Sequence, residues 1–343
     1  MRILVDIVHP AHALFFLRPI RTFLARGDTV TVASRHKDVT CALLDDLGVA
    51  HTPISRAGTG LIALGAEMIA RDAALWRLVR RVRPQVMLGF GGVAIAHVGR
   101  VTGVPSVAYY DSENARLQTR LAYPFLTRLV VPEDYAGPTP AGRTRRLPGT
   151  KDLGFFHPRA FRPDRDRALA AGLDPDRPNI LLRLVSWRAN HDLGKAGLTG
   201  AQAADLAQML APRAALHVSA EGAVPPALTP FLWTGRPADI HHLMGFCDVV
   251  AGESLTMARE AIVMGVPAIY AGVDFPGVVR GMARRGLMRL LAPGAHDRLA
   301  AEVLALLERP EGFARAREAW LAECPDWAED VVASADALAR PPW

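Results

Sequence analysis

Short apolar runs alternate with stretches of helical length along the first half of the chain. Ile3–Val8, Thr29–Ala33, Val49–Pro53, Gln85–Gly89, Pro105–Tyr109 and Arg128–Val131 read as strands. Ala13–Ala25, Asp38–Leu47, Leu61–Val82, Val93–Thr102 and Asn114–Thr127 read as the helices between them. The punctuation agrees. Arg26-Gly27-Asp28 closes off the first helix, Gly48 is a typical residue just past a helix end, and Pro84 stops the long arginine-rich helix. Strands and helices alternating in this way predict a doubly wound parallel sheet.

Tyr135–Arg146, rich in Pro, Gly and Arg, reads as a loop, and the Pro- and charge-rich Phe155–Pro178 as a connection that holds a domain boundary. The alternation then restarts. Ile180–Leu184 and Ala215–Ser219 read as strands, and Ala201–Leu210 and Ala238–Phe246 as helices. Leu299–Glu308 and Gly312–Leu338 are helical, the latter broken near Pro325. The predicted fold is α/β, with two doubly wound Rossmann-like domains facing a cleft. Residues 1–160 form the first domain, 175–310 the second, and 311–343 a helical segment that packs back on the first.

The stretch Cys247–Gly272 organises the second domain. Asp248–Ala251 and Pro267–Ala271 read as buried strands with Leu255–Met264 as the helix between, a βαβ unit with a parallel pair. Its turn is Gly252-Glu253-Ser254, with Ser254 at the N-cap position. The amides of Leu255, Thr256 and Met257 then offer a seat for phosphate at the positive end of the helix. Glu260 lies six residues after Ser254, about 9 Å along the axis, where a carboxylate can hold ribose hydroxyls. The same pattern also describes an ordinary capped helix with a solvated Arg259-Glu260 face.

Composition narrows the classes. Half of the 343 residues are hydrophobic, which excludes a disordered chain. Net charge is +6 and the pI is near 9.6, yet lysine occurs only at 37, 151 and 195, so the basicity is nearly all arginine. No aromatic-interleaved basic tract or nucleic-acid motif accompanies it, so nucleic acid is not an expected partner. Cys41, Cys247 and Cys324 lie far apart without a CxxC, which argues against disulfides or structural zinc and fits a reducing cytosol. The chain starts on a strand with no secretory signal pattern, and no apolar run approaches about 18 residues, so a cytoplasmic location is expected.

Candidate chemistry gathers after strands. In Asp6-Ile7-Val8-His9-Pro10-Ala11-His12, His9 and His12 bracket a turn and are candidates for a direct role, as a general base, with Asp6 near enough to orient one of them. The plainer reading has His12 capping a helix that starts near Ala13. Gly91 and Gly92, in Gly89-Phe90-Gly91-Gly92, let backbone approach a sugar or phosphate closely, or simply make a tight βα turn; without GxGxxG spacing they do not suggest a dinucleotide site. Asp111, Glu113 and Asn114 follow the next strand, as sugar ligands or a base; the plainer reading has Ser112 or Asp111 capping the following helix. In the second domain Arg183, Ser186, Trp187, Arg188, His191 and Asp192 crowd the end of one strand, and Ser219 and Glu221 the end of the next. Arg183 suits a diphosphate leaving group. His241-His242 reads as structural. No metal site is expected: His191-Asp192 lacks a third ligand at helical spacing.

Several of these segments resemble known families. GFGGVAIAHVGRVTGVPSVAYYDSENARLQTRL resembles the acceptor-side segment of the peptidoglycan N-acetylglucosaminyltransferase that acts on a lipid-linked precursor. Glu113 and Asn114 match its Glu-Gln-Asn-type turn, and His12 a histidine in its first loop. Glu260, Gly265 and Pro267 match the spacing of its ribose-gripping glutamate. DIVHPAHALFF, LRLVSWRANHD and GESLTMAREA resemble a bacterial and archaeal domain family of unknown function in the glycosyltransferase-B superfamily. The non-hydrolysing UDP-N-acetylglucosamine 2-epimerases share that fold, but Gly89-Phe90-Gly91-Gly92 replaces their acidic turn.

The resemblance implies a metal-independent transferase without a cofactor, using a UDP-sugar as substrate. Arg183, Glu221, Gly252, Glu253, Ser254, Thr256 and Glu260 would bind the nucleotide sugar. His9, Gly91, Gly92 and Asn114 would bind the acceptor, and His12, Asp111 and Glu113 would act in catalysis. The alternatives are a 2-epimerase and a non-catalytic sugar-nucleotide binder. A basic face at Arg71, Trp76, Arg77, Arg80, Arg81 and Arg83, with Arg116, Arg120 and Arg128 around Leu121–Leu126, suits peripheral contact with an anionic membrane and a lipid-linked acceptor.

Overall fold

The computed structural model describes residues 1–36, 39–56, 58, 60–113, 115–185, 198–272, 274–292, 295–308 and 311–339. The chain divides into two compact units, one of residues 1–155 with 324–343, the other of residues 156–323. Both are α/β with parallel sheets, as the alternation predicts.

The first unit runs β1 (Arg2–Ile7), α1 (Pro10–Ala25), β2 (Thr29–His36), α2 (Thr40–Asp46), β3 (Thr52–Arg56), α3 (Leu61–Val82), β4 (Val86–Phe90), α4 (Val93–Thr102), β5 (Ser106–Tyr109), α5 (Arg116–Ala122), β6 (Arg128–Pro132), β7 (Thr144–Leu147) and α6 (Leu153–Phe156). Its seven strands lie in the order β3-β2-β1-β4-β5-β6-β7. β1, β4 and β5 are buried almost throughout, as central parallel strands covered on both faces must be. Strand order reverses between β1 and β4, where Asp6 pairs with Gly89. Such a reversal leaves a crevice beyond the carboxyl ends of the two strands.

The second unit runs α7 (Arg165–Ala170), β8 (Asn179–Leu184), α8 (Gly200–Leu210), β9 (Ala215–Ala220), α9 (Ile240–Met244), β10 (Val249–Gly252), α10 (Leu255–Met264), β11 (Ala268–Tyr270), α11 (Gly277–Arg284), β12 (Met288–Leu290), α12 (Leu299–Glu308) and α13 (Glu311–Glu323). The order β12-β11-β10-β8-β9 reverses between β8 and β10, where Arg183 pairs with Gly252. Ile180, Leu182, Val218, Val249, Ala251 and Ile269 of the sheet pack with Leu206, Leu210, Leu299 and Val303 into one core.

The last helix, α14 (Trp327–Leu338), belongs to the first unit, so the helices of 311–343 are divided between the two. Arg317 of α13 donates to Ile262 O and Val263 O, satisfying the carbonyl end of α10. α14 is held otherwise. Arg18 grips Asp326 with two bonds of 2.9 and 2.8 Å, and Trp327, fully buried, donates from Nε1 to Pro148 O at 2.9 Å.

Some elements differ from the pattern-based reading. α1 starts at Pro10, because His9 caps it and proline suits a first helical turn. α5 is shorter than Asn114–Thr127. β7 lies in the expected loop: as an edge strand it needs little apolar content, and its Arg145 pairs with Asp330 of α14. α11 and β12 had no counterpart in the sequence reading; β12 is three residues long, with Arg289 bonded to Glu302.

Candidate functional site

In the second unit the predicted residues converge on the β8/β10 reversal. Arg183 leaves β8 with Nη1 donating to Ser219 Oγ at 2.8 Å and Nη2 to Glu221 Oε1 at 2.7 Å. Arg183, Ser219 and Glu221, separate in sequence, therefore form one cluster at the carboxyl ends of β8 and β9. Glu221 is about half exposed and offsets part of the arginine's charge. Across the reversal, Ser254 caps α10, its Oγ accepting from Met257 N at 3.4 Å. Thr256 is half-buried in the first turn. The remaining amides of that turn point out of the helix end, the geometry that favours an anion.

Gly252 has φ +130°, and a Cβ there would stand 2.1 Å from Arg183 O. The close approach this glycine permits is to β8's own backbone. Glu253, 4% exposed, gives its oxygens to the main chain: Val185 N donates to Oε2 at 3.0 Å and Leu198 N to Oε1 at 3.2 Å. Its carboxylate ties residues 185 and 198 to the turn. Glu260 is also buried, with Oε2 3.1 Å from His241 Nε2. The solvated Arg259-Glu260 face is thereby overturned, since Arg259 is buried too.

His241, read from sequence as structural, is the side chain that meets Glu260. It is the more exposed member of the pair with Glu260, at 19% against 6%, and its ring lies 4.6 Å from Phe156. A tandem His-His in a short helix carries no periodic signal that would separate it from a core histidine. Tyr270, at the carboxyl end of β11, is buried, and burial pushes its phenol up to about 12, so it stays a donor. A cavity of about 250 Å³ lined by Pro267, Ala268, Leu287, Met288 and Phe313 opens at the opposite, amino ends of β11 and β12, away from these groups.

In the first unit the β1/β4 reversal brings His12 and Phe90 together, ring centroids 4.7 Å apart, with His9 5.5 Å from His12. His9 does the capping, its Nδ1 accepting from Ala11 N at 3.2 Å. His12 is thus released from the capping role and sits half-buried in the first turn. Asp6 does not orient either histidine: it is buried against Arg71 of α3, which also donates to Ser55 Oγ at 2.8 Å. Gly91 and Gly92 take φ of +75° and +67°, a left-handed pair that side chains resist. A Cβ on Gly92 would meet that of Ala108 at 2.8 Å.

Asp111 is buried after β5 and accepts from Ser112 Oγ at 3.3 Å. Neither caps α5, whose N-cap is Ala115. Glu113 accepts from Ala136 N at 2.9 Å and so ties down the turn after β6. Beneath them Tyr110, Tyr123 and Tyr135 cluster, the last two hydroxyls 3.1 Å apart. Burial raises all three phenols above their usual range. Asn114, and Ser186, Trp187, Arg188, His191 and Asp192, lie outside the described residues. Among the described residues no group of three or more His, Cys, Asp or Glu is arranged to hold a metal ion.

Residues 1–138 match the family described as "Protein of unknown function (DUF354)", in line with the resemblance drawn from the motifs. No curated protein matches the chain. Solved structures of similar fold include the UDP-GlcNAc 2-epimerase from Neisseria meningitidis bound to UDP-GlcNAc. It is 11% identical, with 98% of this chain and 100% of that one covered and a TM-score of 0.68. The glycotransferase of kitacinnamycin is 17% identical over 99% of both chains, TM-score 0.66. The spinosyn rhamnosyltransferase SpnG complexed with thymidine diphosphate is 15% identical over 97% of this chain and 100% of that one, TM-score 0.66. The protein has the glycosyltransferase-B fold of two Rossmann-like domains.

Proposed function

We propose that this protein is a nucleotide-sugar-dependent glycosyltransferase that uses a UDP-linked donor. The observation that carries the reading is the convergence, in the second unit, of Arg183, Ser219 and Glu221 with the capped start of α10 around one strand-order reversal. Helix amides and a guanidinium at such a point suit a diphosphate. The pair of Glu260, in the same α10, with His241 of α9 suits the ribose hydroxyls.

In the reaction the acceptor oxygen bonds to the anomeric carbon as the bond from that carbon to the diphosphate oxygen breaks. The helix end and Arg183 stabilise the departing charge. His12 takes the acceptor proton, or Asp111 in its place. Gly91, Gly92 and His9 line the acceptor's approach, and Glu113 fixes the turn behind it. Because Arg183 and the helix end supply positive charge, no metal is required.

Calorimetry with UDP, thymidine diphosphate and uridine tests the reading. UDP should bind, and more tightly than uridine; binding of neither diphosphate would overturn it. A 2-epimerase is the second reading, favoured because the Neisseria enzyme is as similar in fold as the transferases. Conversion of UDP-N-acetylglucosamine without any acceptor would establish it over transfer.

A further inference from the structure

α3, α4 and α5 each lead into the next strand of one parallel sheet, so they run side by side in the same direction. His97 of α4 marks a common level across them. Its Nδ1 lies 2.6 Å from Asp72 Oδ2 of α3, and its Nε2 lies 3.0 Å from Leu121 O of α5. One turn further along α3 and α4, four residues on, stand Trp76 and Val101, and four residues past Leu121, in the turn that follows α5, stands Phe125. They are 43%, 76% and 41% exposed, and Phe125 meets the His97 ring edge-on at 5.5 Å. About one turn back stand Ile69 and Leu117, 69% and 66% exposed. Five of the ten large apolar side chains exposed among the described residues therefore share one helical layer.

The charge on that layer has one sign. Arg77, Arg80 and Arg81 of α3, Arg100 of α4, and Arg116 and Arg120 of α5 are all exposed. The acids of residues 61–110 are Glu67 and Asp72 alone, and residues 115–132 have none. Glu67 is turned onto Arg35 and Asp72 onto His97. The face differs from the sequence-based one: Arg71 is buried on Asp6 and leaves it, as do Ala122, Tyr123 and Leu126, while Val101 and Arg100 join it.

We propose that this layer is a docking surface for an anionic lipid bilayer. Apolar tips, two of them aromatic, set among arginines match the interface of such a membrane, where rings sit at headgroup depth and guanidinium groups meet phosphate. A second copy of the chain is a poor occupant, since an isologous contact would set these arginines against each other. Docking is peripheral: no helix among the described residues is long and apolar enough to cross a membrane. The surface stands apart from the nucleotide reading and would act even if no nucleotide bound.

Flotation of the full chain with vesicles tests this. The wild type should float at low salt with vesicles of phosphatidylcholine plus phosphatidylglycerol, and sink with phosphatidylcholine alone. Arg77→Glu/Arg80→Glu/Arg81→Glu should weaken partitioning by at least roughly a hundredfold, about fivefold per arginine removed. Trp76→Ser/Val101→Ser/Phe125→Ser, which alters only exposed side chains, should lose flotation while keeping the far-UV spectrum. Equal flotation of both variants and wild type would overturn the proposal, and so would a wild type that ignores anionic vesicles. If it ignores vesicles but is retained on polyglutamate through the same arginines, the face belongs to an acidic protein instead.

Discussion

Replacing Glu260 with Ala tests the nucleotide reading most directly, because the structure gives the side chain a competing duty. Glu260 lies within α10, 5% exposed, with Oε2 3.1 Å from His241 Nε2. Its removal therefore has two effects that must be separated. The first is on stability. The imidazole left behind is 19% exposed and can turn to water, so the cost belongs at the lower end of the range for an unsatisfied group, about 1–2 kcal/mol. The neighbouring Ala258, Ala261, Ile262 and Val263 keep the helix anchored in the core. The second is on binding. Hydrogen bonds from ribose hydroxyls to a carboxylate contribute about 1.5–3 kcal/mol, which is roughly ten- to 150-fold in Kd. Calorimetry of the folded variant should show UDP weakened by that factor and pyrophosphate, which has no ribose, unchanged. His241→Ala breaks the same pair but keeps the carboxylate, so it should match the stability loss with a smaller loss of UDP affinity. Unchanged UDP affinity in folded Glu260→Ala refutes the assignment. Equal losses for UDP and pyrophosphate refute it as well, because the damage would then lie at the helix end.

Replacing Ser254 and Thr256 together with Ala and Val should weaken UDP more than uridine, since those residues are assigned to phosphate; equal losses in calorimetry would contradict that. UDP binding should survive EDTA, because Arg183 and the α10 amides supply the positive charge; complete loss rescued by Mg²⁺ or Mn²⁺ would show the diphosphate to be metal-held. Acid should destabilise the second unit through His217, buried on β9 with Nε2 2.9 Å from Asn179 Oδ1. Burial lowers its pKa from the usual 6.5, so the unfolded chain takes the proton first. Its contribution is whole above that value and is lost as pH falls through 6.5 towards the lower folded pKa. Urea midpoints should drop across this window, and less steeply in His217→Gln; parallel slopes would remove His217 from the account.

The positions of the candidate groups were legible in the sequence because a parallel sheet sends every strand's carboxyl end to one edge. Once Ile3–Val8, Gln85–Gly89, Ile180–Leu184 and Asp248–Ala251 are recognised as strands, the residues after them are at that edge, and those strands are the four that flank the two reversals. Edge elements were less legible. β7 and β12 are short, carry arginines and are specified by partners on α14 and α12. The duties of the buried side chains were not legible either, for the same reason. Glu260 meets a histidine 19 residues away, Arg183 a glutamate 38 away, Glu253 amides 55 and 68 away, and Asp6 an arginine 65 away. Local spacing holds no trace of such pairings, and a buried carboxylate must find one because the desolvation cost would otherwise be too large. A carboxylate at a strand end is therefore ambiguous between ligand and scaffold until its long-range partner is known. The Glu260–His241 pair narrows that ambiguity: its histidine is the more exposed member, so a ligand reaching the pair meets the imidazole as well as the carboxylate.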